Sequence, residues 1–259
     1  MPWDFALILF ALGVVVPWRG AVRMRKLLAR PSLETADRLM LYVSTIVFQW
    51  LAVAVVAWRC YARGLSAQRL GVAFPQPVLT TVIAVALSLV LAANQFFGLR
   101  RLARLPAQGR SFLYEMAEKV MPHNFVEALV FIALAFTVAP CEEFLYRGFV
   151  FAALERAAGG SLLIATVGSS VLFGLAHLYQ GRRGLISTSL MGCVFAAARI
   201  LTGSLAPPIA AHLLATWWRA WRRRASSRRV EVQRQRLRSQ QSTPPGQGRS
   251  SERVVFTKR

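Results

Sequence analysis

Acidic residues are scarce in this chain, and so are cysteine and histidine. Across 259 residues there are 11 Asp and Glu against 32 Lys and Arg, with three Cys and three His. Cys60, Cys141 and Cys193 are too few and too scattered for a disulfide framework, and no CxxC pair exists, which argues against a thiol redox centre. There is no HExxH helix, no glycine-rich phosphate loop and no internal repeat. The N-terminus lacks the basic stretch and small-residue cleavage site of a secretory leader, so its first apolar segment is expected to be retained. Segments with period-2 alternation are missing too, which argues against strands.

What the chain has in quantity is apolar sequence: 55% of its residues are hydrophobic, gathered in long runs rather than amphipathic stripes. A bilayer core about 30 Å thick needs about 20 helical residues to cross it. Residues 39–58, 77–98, 161–179, 183–202 and 205–222 meet that length, and residues 4–18 form a shorter, proline-terminated candidate. Residues 124–140 make a further apolar stretch ending at Ala139-Pro140. A separate helix is expected from Cys141 to about Ala158, with Pro140 in its first turn and Gly159-Gly160 stopping it. The expected fold is all-α: a polytopic transmembrane bundle of seven or eight helices occupying residues 1–222, followed by a basic, disordered tail at 223–259.

The formal net charge is +21. Much of it sits in residues 19–38 and 99–123 and in the tail, where Arg222-Arg223-Arg224, Arg228, Arg229, Arg234, Arg236 and Arg238 lie among Ser and Gln. Arginine runs beside a final span are read as topology signals contacting anionic lipid, worth about 1 kcal/mol per residue near the surface, in preference to nucleic acid. The expected location is the bacterial cytoplasmic membrane, with several passes. The side on which the motif residues lie is left open, because a full or a partial crossing by 124–140 gives opposite answers.

Against this background Glu142-Glu143-Phe-Leu-Tyr-Arg147 stands out. Ionisable side chains inside membrane segments are costly and mark functional sites by default. Glu143 and Arg147 are four residues apart on one helix face and can pair, which leaves Glu142 free to handle protons. The plainer alternative is that both carboxylates cap an interfacial helix start. His177 lies one helical turn after Phe173, and His212 one turn before Thr216, each inside an apolar segment. An imidazole titrates near neutral pH, although snorkelling or an interhelical hydrogen bond would explain either one alone. Both in-span histidines accompany the in-span glutamate pair. The combination points to proton transfer on a membrane-embedded substrate.

Glu142-Glu143-x-x-x-Arg147, then Phe173-x-x-x-His177, then His212 resembles the ordered motifs of the CPBP family over residues 124–220. That family contains CAAX prenyl proteases of the Rce1 type, bacteriocin-processing and self-immunity proteins, and Abi-type membrane proteins. The resemblance implies an intramembrane endopeptidase in which Glu142 acts as general base on a water with help from His177. It implies that Glu143 and Arg147 shape the site and that His212 holds the developing oxyanion, with Phe173 and Thr216 in support. The family pattern has an asparagine four residues after the last histidine, where this chain has Thr216. A peptide or membrane-anchored protein is the implied substrate, with no cofactor. Zinc on Glu142, His177 and His212 is the mechanistic alternative. A non-proteolytic scaffold or immunity protein and a proton-coupled transporter are the competing functions.

Overall fold

The computed structural model describes residues 1–103, 116 and 118–216, with side chains of 98–103 excluded; the tail expected at 223–259 lies outside the described residues. They form one compact unit within Met1–Ala220, with helices joined by short loops and no strand among them. We number the rods α1 (Trp3–Leu28), α2 (Thr35–Ala62), α3 (Pro77–Ala103), α4 (Phe125–Ala157), α5 (Leu162–Ala176), α6 (Gly181–Thr202) and α7 (206–216). Among the described residues, five helices are long and apolar enough to cross a membrane: α1, α2, α3, α4 and the segment Leu178–Thr202 that contains α6. The chain is an integral membrane protein.

Its burial pattern is that of a protein solvated by lipid. Trp50, Val55, Leu89, Leu163 and Leu190 present half or more of their surface outward, while Glu127, Glu143 and Arg147 are sealed inside. Apolar residues face out because hydrocarbon is their solvent, whereas ionic groups turn inward to find partners.

The expected break at Ala139-Pro140 is absent. The helix runs unbroken from Phe125 to Ala157, with Pro140 in its interior. Proline removes one backbone donor and crowds the carbonyl four residues earlier, which ordinarily kinks a helix. Here Phe144–Val150 follow in π-helical geometry, and Phe151 N–H reaches back to Tyr146 O. A wider coil is a known accommodation for such a perturbation and recurs at functional sites. The same pairing occurs in α1, where the π segment Ala11–Val15 precedes Pro17. Glu142 and Glu143 consequently lie in mid-rod instead of in a first turn, and the reading of them as an interfacial cap fails.

The ends of α4 match their sequence signals. Asn124 Oδ1 accepts from Glu127 N–H at 2.9 Å, capping the start. Gly159 and Gly160 take φ of 64° and 92°, a turn that other residues adopt with strain. After that turn α5 has only 15 residues, about 22 Å at ~1.5 Å per residue, short of a full crossing.

Side-chain ties set the helix directions. Arg59 and Arg63 bond Asp4, and Arg23 bonds Ser44, so α1 runs antiparallel to α2. Arg38 bonds Glu127 and Trp50 bonds Thr137, so α2 runs parallel to α4. The start of α7 is tied to the loop before α3, because Leu205 N–H donates to Gly71 O at 2.7 Å.

Candidate active site

The depth of the site follows from chain length on either side of the glycine turn. Glu142 lies fifteen residues before Ala157, and His177 fifteen residues after Leu162. In an antiparallel hairpin those two positions return to one level. His177 also ends its helix. Its backbone N–H bonds Gly174 O, which frees Phe173 O, and the imidazole Nδ1 takes that carbonyl at 2.9 Å. A carbonyl only accepts, so Nδ1 carries the proton and Nε2 of the neutral ring is left with its lone pair.

His212 arrives from α7, halfway along 206–216. Its Nδ1 lies 2.9 Å from Glu143 Oε1, and that same oxygen accepts from Arg147 Nη1 at 3.2 Å. Glu143 and Arg147 are fully buried. Facing a carboxylate, Nδ1 is again the donor, so His212 also turns Nε2 toward the centre.

Both Nε2 atoms converge on one oxygen. Glu142 Oε2 is 3.9 Å from His177 Nε2 and 3.9 Å from His212 Nε2. That separation is too long for a direct hydrogen bond and short enough for one water to bond both partners. Glu142 Oε2 is buried with no protein hydrogen-bond partner, whereas Oε1 accepts from Gln49 Nε2 at 3.1 Å.

Aromatic rings form the walls. Phe173 packs edge-on to His177 (centroids 4.7 Å apart), Tyr146 (5.2 Å) and His212 (6.2 Å). The Arg147 guanidinium carbon sits 3.9 Å from the Phe173 ring centroid, a cation–π contact strengthened by burial. Phe195 on α6 closes the far side at 5.9 Å from His212. Glycine makes room for this packing: a Cβ on Gly192 would stand 3.0 Å from Arg147 Nη2.

All seven residues singled out from the sequence lie in or beside this cluster, although Thr216 does not turn its hydroxyl to it. Thr216 Oγ1 donates to His212 O at 3.0 Å, within its own helix. Sequence reasoning missed Gln49 and Phe195. Gln49 is an amide in the apolar run 39–58, and a polar residue so placed is a signal in its own right; Phe195 carries no such mark. Among the described residues no group of three His, Cys, Asp or Glu side chains is arranged to hold a metal ion.

A largely buried carboxylate facing two imidazoles within a helical membrane bundle can carry acid–base chemistry. Residues 124–218 match the family model described as Type II CAAX prenyl endopeptidase Rce1-like, which supports a likeness to the CPBP/CAAX proteases over that segment. No curated protein and no solved structure matches the chain. The family match supports, in general terms, a CAAX-type intramembrane endopeptidase.

Proposed function

We propose that this protein hydrolyses a peptide bond at membrane depth with a water activated by Glu142. The observation that carries the reading is the convergence of Glu142 Oε2 with two imidazole Nε2 atoms, each 3.9 Å away. A water between them donates one proton toward Glu142 Oε2 and the other toward His177 Nε2. As its oxygen attacks the scissile carbonyl carbon, Glu142 takes the first proton, the carbonyl π bond opens, and a tetrahedral oxyanion forms. Collapse re-forms the carbonyl and breaks the C–N bond, and Glu142 returns its proton to the departing amine. This is general acid–base chemistry with a carboxylate in both roles.

His212 is the oxyanion partner in this scheme. Its Nδ1–H is committed to Glu143, so donation from Nε2 requires the imidazolium form. In that form the ring carries a second donor, on Nε2, facing the centre. Glu143 then orients the ring and stabilises its cation, as a carboxylate behind a catalytic histidine does elsewhere. Thr216 braces the helical turn that carries His212.

An apolar cleft of about 330 Å³ reaches Cys141, next to Glu142 in the chain, and is lined also by Trp50, Phe74, Pro140, Phe144 and Leu205. It suits an extended substrate segment with apolar side chains or a lipid-modified end. The proposed reaction uses no metal.

Purified protein in detergent is assayed with an internally quenched prenylated peptide ending in Cys-aliphatic-aliphatic-X. Glu142→Gln and His177→Ala are expected to abolish cleavage while the helical circular dichroism spectrum is retained, and 1,10-phenanthroline to leave the wild-type rate unchanged. Full activity of Glu142→Gln would overturn the mechanism. Substrate trapping with that variant, read by mass spectrometry, identifies the physiological partner.

A further inference from the structure

The centre takes one polar group from outside the segment matched by the family model. Gln49 lies on α2, and its Nε2 donates to Glu142 Oε1 at 3.1 Å. A carboxylate only accepts, so chemistry decides which end of the amide faces it. The same rod is anchored to α4 at two further points: Trp50, the next residue, donates Nε1–H to Thr137 Oγ1 at 3.3 Å, and Arg38, about three turns earlier, grips Glu127. Gln49 is therefore presented from a rod already locked in register against the helix that carries its partner.

The consequence lies in which oxygen of Glu142 is left over. His177 from α5 and His212 from α7 face Oε2, and on α4 itself Glu143 and Arg147 pair with each other and with His212. Oε1 is held by Gln49. A carboxylate with one oxygen tied has lost most of its freedom to rotate about its last torsion, and the free oxygen is aimed. Gln49 Oε1 is buried with no hydrogen-bond partner. An unpaired amide oxygen costs free energy unless something donates to it, and an extended peptide brings backbone N–H groups to such a place.

We propose that Gln49 is a positioning residue of the proteolytic centre, whose Nε2–H fixes Glu142 so that Oε2 points at the water between the two imidazoles. The proposal rests on the reading of Glu142 as the base. It also makes the N-terminal rods part of the working site, since α2 supplies a group that residues 124–218 lack. The amide oxygen of the same side chain is the acceptor offered to a substrate backbone N–H.

The test uses Gln49→Met, which keeps length and apolar volume and removes the hydrogen bond. Full-length variant and wild type are compared in detergent for kcat and KM on the quenched prenylated peptide, for thermal unfolding, and for labelling of Glu142 by dicyclohexylcarbodiimide, which reacts with protonated carboxyls. Expected is a kcat lower by about 10- to 100-fold, the scale of a misaligned catalytic group, with KM within about threefold. Unfolding should shift little, and labelling of Glu142 should rise, because Oε1 loses its hydrogen-bond donor and is left open to the reagent. A merely structural amide would lower the fraction of folded protein and leave kcat per folded molecule unchanged, which overturns the proposal. Unchanged labelling overturns it as well, and that measurement stands whether or not the peptide is cleaved. If Glu142→Gln still cleaves while Gln49→Met raises labelling, the general-base reading fails and the Gln49–Glu142 coupling survives.

Discussion

Arg38 and Glu127 form a forked ion pair between α2 and α4, with Nε to Oε2 at 2.8 Å and Nη2 to Oε1 at 3.0 Å, both side chains sealed from the surroundings. Further donors surround the acid: Asn124 Nδ2 at 2.9 Å and His123 N–H at 2.7 Å. Arg38 also donates to Leu33 O at 2.7 Å, tying the loop before α2 into the same knot. Removing one partner strands a buried charge, whereas removing both does not. Glu127→Leu or Arg38→Met alone is expected to destabilise by about 3–5 kcal/mol. The double replacement should cost less than either single change. Thermal unfolding in detergent, run as a double-mutant cycle, checks this.

Gly192 lies where α6 crosses α4 and α5. A Cβ there would stand 2.9 Å from Ser170 Cβ and 3.0 Å from Arg147 Nη2. Neither neighbour has room to retreat, because Ser170 and Arg147 are both buried. Gly192→Ala is expected to cost about 1–3 kcal/mol through overpacking and to lower kcat by disturbing the Arg147–Glu143–His212 chain. Gly20→Ala is the control: nothing lies within 4 Å of its would-be Cβ. There the change should leave kcat intact and raise the unfolding temperature slightly, since alanine favours helix over glycine.

These two contacts show how far the sequence could be read. Hydrophobic run length is enough to predict an all-helical membrane protein, and the cost of burying charge is enough to mark Glu142, Glu143 and Arg147. The pairing of Glu143 with Arg147 follows from i,i+4 spacing alone. Pro140 was misleading because proline at a helix start and proline followed by a π segment look alike in one dimension. The meeting of Glu142 and His177 was legible in principle from the equal arms around Gly159-Gly160, once α4 is recognised as continuous. Gln49 was harder to see: its role depends on the register between α2 and α4, which Arg38, Glu127, Trp50 and Thr137 set together and no local pattern reveals.

Thr216 and His212 should respond differently to substitution, although both belong to the expected motif. His212 faces the centre and bonds Glu143, whereas the Thr216 hydroxyl returns to its own backbone. His212→Ala is expected to lower kcat by at least about 100-fold, the usual cost of losing an oxyanion donor. Thr216→Val keeps the shape and loses only the back-bond, so its effect should stay within about fivefold. Steady-state cleavage of the quenched peptide distinguishes the two, and equal losses would show that the threonine hydroxyl enters the reaction.

Helix directions bear on a question that the sequence left open. Because α1 is antiparallel and α4 parallel to α2, residues 19–38 and the start of α4 gather at one end of the bundle. Lys119 Nζ confirms it by donating to Leu28 O and Arg30 O at 2.8 and 2.7 Å. Arg19, Arg23, Arg25, Lys26 and Arg30 cluster there, while at the other end Arg59 and Arg63 are neutralised in part by Asp4. Under the positive-inside rule the first end is expected to face the cytosol. With the native cysteines replaced, Ala67→Cys should react with a membrane-impermeant maleimide on intact cells. Ser32→Cys should react only after permeabilisation, as both positions are exposed but lie at opposite ends. The reverse pattern would invert the bundle in the membrane.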